Sequence, residues 1–141
     1  MGVEFIEQPL PAENLETMER VFKNSALPVL ADENSIAPED IPSLVGKFHG
    51  INIKLVKCGG ILPALKMIHM ARTFGMKIMI GCMIESSVSI SAGAQLAPMV
   101  DYLDLDGALL TSNDPYSGVE IDKGKLVFPD RPGHGALPRV K

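Results

Sequence analysis

Tryptophan is absent from the 141-residue chain, and aromatic residues make up only 5% of it. That scarcity argues against a surface on which nucleic-acid bases stack. There is no basic run: 13 Lys and Arg stand against 17 Asp and Glu, a formal charge of -4. A chain with that balance has no stripe to neutralise phosphates, so nucleic acid is not an expected partner. Cysteine occurs only at Cys58 and Cys82. Their separation matches no metal-ligand spacing, and they read as reduced thiols of a cytoplasmic protein. Long hydrophobic runs are missing too. The longest apolar stretch, around Lys77 to Ile84, is too short and interrupted to span a bilayer, so no membrane is expected. The opening Met-Gly-Val-Glu-Phe has neither the basic region nor the apolar region of a signal peptide.

What is present is an ordinary apolar content, 46%, distributed with a rhythm. Short β-rich runs lie at Val3–Ile6, Pro28–Ala31, Ile51–Val56, Lys77–Cys82 and Tyr102–Leu105. Between them fall stretches with helical spacing: Asn14–Lys23, about Pro38–Phe48, Ile61–Phe74 ending at Gly75, and near Ser87–Leu96. Five strands and four helices, at about 22 to 28 residues per unit, give the cadence of βαβ units and a parallel sheet. After Gly107 the rhythm stops. Gly118–Phe128 reads as a hairpin turning at Lys123-Gly124, and Pro129–Lys141 reads as irregular. Residues 1–107 thus form one part and residues 108–141 another.

Polar residues stand at the ends of these apolar runs, where a parallel barrel carries its chemistry. Alternation puts Val3, Phe5 and Glu7 on one face, Asn52, Lys54 and Val56 on another, and Asp104 with Asp106; by parity Lys57 faces away from Lys54. Glu7, Asp32 and Lys54 can therefore point into one cavity from three successive strands. Glu7 and Asp32 are hard oxygen donors suited to Mg2+, although a third carboxylate would be expected. Glu33, one residue on, should point away. Lys54 lies between Ile53 and Leu55, and burial beside a metal should reduce its proton affinity and suit it as a general base. Asp104 and Asp106 would attract an ammonium group or a second cation. Gly59-Gly60, before a helix, could offer backbone donors to an anion. Glu85 could line the pocket or pair with Lys54. Taken singly, each residue has a plainer reading: a strand exit, a surface lysine, a helix cap or a solvated loop. His49, His69 and His134 are scattered and carry no assigned chemistry, and the methionines read as core.

Five segments taken in order narrow these readings: Phe-Ile-Glu-Gln-Pro (5–9), Leu-Ala-Asp-Glu-Asn (30–34), Ile-Asn-Ile-Lys-Leu-Val-Lys-Cys-Gly-Gly-Ile (51–61), Gly-Cys-Met-Ile-Glu-Ser (81–86) and Asp-Leu-Asp-Gly (104–107). With Pro132-Gly133 near the end, the chain resembles the muconate-lactonising subgroup of the enolase superfamily. Within it, Asp-Leu-Asp at the last strand resembles dipeptide epimerases of the L-Ala-D/L-Glu type. The resemblance implies the C-terminal part of a (β/α)7β barrel, entered at its fourth strand and incomplete alone. It also implies metal ligands at Glu7 and Asp32, a catalytic lysine at Lys54, and Mg2+ as cofactor. Asp104 and Asp106 would receive the α-ammonium of a dipeptide, with Cys82, Met83 and Glu85 lining its pocket. The implied reaction is a 1,1-proton transfer through an enediolate, with lysines on opposite faces. The family's Lys-x-Lys, its first metal-binding Asp and its capping domain have no counterpart in these residues. As a free polypeptide the chain is accordingly expected to be inactive, a half-barrel that needs its remaining part or a partner chain. Other subgroup chemistries, N-acylamino acid racemisation, succinylbenzoate synthesis and cycloisomerisation, are the alternatives.

Overall fold

The computed structural model describes residues 2–139; Met1, Val140 and Lys141, the ends of the two expected parts, lie outside the described residues. Five strands form one parallel sheet in chain order: β1 (Ile6–Glu7), β2 (Val29–Ala31), β3 (Gly50–Lys54), β4 (Lys77–Gly81) and β5 (Tyr102–Leu103). Helical connections join them: α1 (Leu15–Asn24), α2 (Ile41–Leu44), the one-turn α3 (Leu55–Cys58) with α4 (Ile61–Thr73), and α5 (Ser87–Ala94). The strands are near-continuous apolar runs because parallel strands are covered on both faces.

Side-chain alternation sorts the two faces. Val29, Ala31, Ile51, Ile53, Ile78 and Ile80 join the main core with Met18, Met67, Ile68 and Ile90 of the helices. Leu30, Asn52 and Met79 are equally buried but lie opposite, on the concave face. The sheet curls about that face until Phe5, just before β1, meets Tyr102 of β5 with ring centroids 4.6 Å apart. This is the curled half-barrel expected from the sequence, with the outer edges of β1 and β5 unpaired within the sheet.

α4 shows how the sequence builds a wall. Ala64, Met67, Ile68 and Ala71 fall at helical spacing and are buried. The helix closes in a Schellman motif: the Gly75 N–H donates to the Arg72 carbonyl and the Met76 N–H to the Ala71 carbonyl. α1 likewise buries Met18 and packs Leu15 and Val21 on the core.

Several boundaries differ from the sequence reading. The helix expected over Pro38–Phe48 is a 3-10 turn at Pro38–Asp40 followed by α2 alone. Val45 is extended and Gly46 has φ 78°, which ends the helix after one turn. β1 and β5 are shorter than expected because each pairs on one side only. The strand expected to reach Val56 stops at Lys54, where the chain winds into α3; this adds a helical segment to the four expected. α5 ends at Ala94, ahead of a separate turn at Ala97–Met99 that holds Pro98.

Beyond the sheet, β7 (Glu120–Asp122) and β8 (Lys125–Val127) pair antiparallel around Lys123-Gly124, where the hairpin was expected. The stretch after Pro129 is not wholly irregular. β9 (Leu137–Pro138) pairs with β6 (Tyr116–Ser117), and the Arg139 N–H donates to the Pro115 carbonyl at 2.7 Å. Pro138 is tolerated because this two-stranded ribbon leaves each strand an open edge. Among the described residues no helix is long and apolar enough to cross a membrane.

Candidate active site

The concave face gathers polar groups at the C-terminal ends of its strands. Parity places Glu7, Asp32, Lys54, Asp104 and Asp106 on it, since their neighbours Ile6, Ala31, Ile53 and Leu105 pack on the core side. Asp32 is the centre. It is 6% exposed, and both of its oxygens are engaged. Lys54 Nζ donates to Oδ2 at 2.7 Å, and Lys57 Nζ to Oδ1 at 2.8 Å. Burial pushes the Asp32 carboxyl up, but the hydrogen bonds and charges of the two ammonium groups outweigh it and hold the group below its ordinary range.

Lys54 departs from expectation. Burial pushes its ammonium group down, yet the Asp32 carboxylate, helped by the charges of Glu7 and Glu33, outweighs burial and raises its pKa above the ordinary lysine value. A carboxylate at 2.7 Å beats partial desolvation. The alternative pairing with Glu85 does not form: Glu85 accepts from the Met83 N–H at 2.8 Å and from the Ser89 hydroxyl. Glu33 is exposed, just beyond the end of β2, and its charge still reaches Lys54.

Lys57 overturns the parity reading. Alternation stops at Lys54, and one turn of α3 carries Lys57 back over the strand end onto Asp32. The turn closes at Gly59, whose φ of 95° suits glycine. The Gly59 and Gly60 N–H groups both donate to the Leu55 carbonyl, at 3.0 and 2.9 Å. They are used in closing the turn, so the expected backbone anion site is not formed there.

Two further residues organise the site and were given no role from sequence. Asn52 is 1% exposed and donates from Nδ2 to Glu7 Oε1 at 2.7 Å. A Cβ on Gly81 would collide with the Asn52 amide, so that glycine makes room for it. Gln8 has φ 34° and ties β1 to β2: its Oε1 accepts from the Asp32 N–H at 2.9 Å, and its Nε2 donates to Asn34 Oδ1 at 2.7 Å. A buried Asn inside an apolar run, and the glycine pair after Lys57, are the sequence signals that could have found Asn52 and Lys57.

Asp104 and Asp106 are exposed beyond β5, with Leu105 buried between them. Burial and then the Asp106 charge raise the Asp104 carboxyl, against a smaller opposing pull from Lys54. Both line a cavity of about 440 Å³ with Leu103, Leu126 and Phe128. Cys82 turns to the core side, with its Sγ 3.3 Å from the Gly107 N–H that donates to it. Met83 is exposed at the rim. The donor chemistry of Glu7 and Asp32, two hard carboxylates at the ends of adjacent strands, fits part of a divalent-cation site. Among the described residues no group of three or more His, Cys, Asp or Glu side chains converges to complete one.

The parallel half-barrel with a lysine–carboxylate centre at its strand ends is matched by known proteins. Residues 1–139 match a family described as enolase C-terminal domain-like, and the chain belongs to that family. It is 50% identical over 135 residues to an L-Ala-D/L-amino acid epimerase of Flavobacterium johnsoniae, covering 96% of this chain and 40% of the relative. It superposes on the substrate-liganded L-Ala-D/L-Glu epimerase of Bacillus subtilis with TM-score 0.89, at 31% identity over 97% of this chain and 40% of that one. A dipeptide epimerase of Methylococcus capsulatus, complexed with Mg and the dipeptide L-Arg-D-Lys, gives TM-score 0.84 and 38% identity over 96% of this chain and 40% of that one. The chain thus spans about two fifths of the length of these relatives.

Proposed function

We propose that the complete protein is a Mg2+-dependent dipeptide epimerase, an isomerase that inverts the carbon next to a dipeptide's carboxylate by 1,1-proton transfer through an enediolate. Glu7 and Asp32 hold the cation together with a ligand from outside these residues. When bound, that cation supplies the positive charge that makes the α-proton acidic. Lys54 Nζ handles the proton on one face of the substrate. Its ammonium form, stabilised here by Asp32, is the form that returns a proton. Its amine form, which removes one, requires the bond to Asp32 to be released. The second base lies in the remaining part of the barrel.

The observation that carries this reading is a lysine–carboxylate centre, Lys54 with Asp32, close enough to the Asp104/Asp106 pair for the Lys54 charge to act on Asp104. Asp104 and Asp106 receive the dipeptide's α-ammonium, which neutralises two like charges that otherwise repel. Met83, Cys82 and Glu85 shape the adjoining wall, Met83 by contact and the other two by holding its loop. Substrates without an ammonium, such as N-acylamino acids or lactones, would leave that pair unpartnered. The similarity to the Mg- and dipeptide-complexed epimerase supports the same reading.

The test is epimerisation of L-Ala-L-Glu by the complete protein with Mg2+, followed by polarimetry and by deuterium uptake at the α-carbon. Lys54→Ala is expected to abolish epimerisation. Full activity in that variant would refute the base assignment, and turnover of N-acylamino acids in preference to dipeptides would refute the substrate class.

A further inference from the structure

Each carboxylate assigned to the cation is held by a residue with no assigned role, and both holders come from the short segment that also carries Lys54. Asn52, two residues before Lys54, donates to Glu7 Oε1 at 2.7 Å. Lys57, three residues after it, donates to Asp32 Oδ1 at 2.8 Å, while Lys54 holds Oδ2 at 2.7 Å. Neither contact is incidental. Asn52 is buried in a space kept open by Gly81, and its main-chain carbonyl is fixed by the buried Ser35 hydroxyl at 2.9 Å. Lys57 reaches Asp32 only because the chain leaves β3 into a single helical turn that two positive-φ glycines terminate.

We infer that Asn52 and Lys57 are positioning residues that fix the orientation of Glu7 and Asp32. The 52–57 segment then sets the base and both carboxylates in one frame. This rests on the reading of Glu7 and Asp32 as cation ligands. A carboxylate with one oxygen anchored has lost the freedom to rotate away, so its other oxygen, which for Asp32 is the one Lys54 holds until that bond is released, is presented at a defined place; anchoring partners of this kind typically govern metal affinity. Charge alone predicts the reverse for Lys57. An ammonium beside Asp32 repels a dication, so its removal would tighten binding if orientation counted for nothing. The two effects have opposite signs, which makes the inference decidable.

The experiment measures Mn2+ binding to the complete protein without substrate, by the electron paramagnetic resonance of free Mn2+, for wild type, Lys57→Met, Lys57→Arg and Asn52→Ala. Thermal unfolding of each is recorded. Lys57→Met and Asn52→Ala are expected to weaken Mn2+ binding about tenfold or more. Lys57→Arg, which keeps the donor, is expected to restore most of it. Epimerisation kcat in Lys57→Met should recover as Mg2+ is raised to saturation, which a merely structural defect would not permit. Unchanged or tighter Mn2+ binding in a folded Lys57→Met overturns the inference while leaving the cation reading intact. Absence of Mn2+ binding in wild type overturns both. Lys57 is partly exposed, so its variants test the inference even if Asn52→Ala fails to fold.

Discussion

Asp32 concentrates the chemistry of the site in one side chain. Its two oxygens divide between two ammonium groups, and its backbone N–H is held by Gln8. The linked pKa shifts set a pH window. The Asp32 carboxyl lies below its ordinary value, so its contribution to stability is present above the ordinary carboxylate range and is lost as pH falls through the folded value. Lys54 lies above its ordinary value, so its contribution is complete below the ordinary lysine range and is lost as pH rises through the folded value. Asp32→Asn should cost about 2 kcal/mol at neutral pH, the scale of a hydrogen bond to a charged group, and should remove the acid-side loss; urea unfolding at neutral and acid pH measures both. Asp106→Asn should raise KM for a dipeptide several-fold and spare cation affinity. An unchanged KM would refute the ammonium assignment. At this scale the positions of Glu7, Asp32 and Lys54 at strand ends are legible in the sequence. The placement of Lys57 is not, because alternation holds only while the backbone stays extended.

At the scale of elements, Asp101 joins three of them at the opposite end of the sheet. Its Oδ2 accepts from the Ile78 N–H of β4 at 2.9 Å and from Arg72 of α4 at 2.7 Å, while Lys77 approaches Oδ1 at 3.3 Å. Burial raises the Asp101 carboxyl, but these donors outweigh it and lower it overall. Asp101→Ala should therefore destabilise the chain by about 1–3 kcal/mol, the cost of leaving a backbone donor unpaired. That difference should shrink as pH falls through the folded Asp101 value; denaturant melts across acid pH would detect it. The existence and order of the elements are legible because α4 repeats Ala64, Met67, Ile68 and Ala71 and because β3 and β4 alternate Ile51, Ile53 and Ile78, Ile80 onto the core. Their ends are less so. α2 is cut short by Gly46, and β5 by the lack of a second neighbour, which no local propensity encodes.

At the scale of the molecule, the sheet is a barrel wall whose two outer strand edges are unpaired among the described residues, and Leu103, Leu109, Leu110 and Phe128 lie exposed near β5. Such surfaces favour association. The 141 residues produced alone should therefore show no epimerisation of L-Ala-L-Glu with Mg2+ present, and should scatter light as more than a monomer. Turnover by polarimetry would refute the requirement for the opposing lysine and the third ligand.

The order of strands and helices and the residues at the strand ends follow from the sequence by itself, because apolar periodicity and residue spacing are local properties of the chain; the kinship with enolase-type barrels follows from the resemblance of its motif segments to that family. The pairing of Lys54 with Asp32, the recruitment of Lys57 and Asn52, the loss of the Gly59-Gly60 donors to turn closure and the β6–β9 pairing were decided only by tertiary structure. Each depends on which groups separate segments bring within hydrogen-bond distance, and a carboxylate at 2.7 Å outweighs the desolvation that sequence context alone suggested.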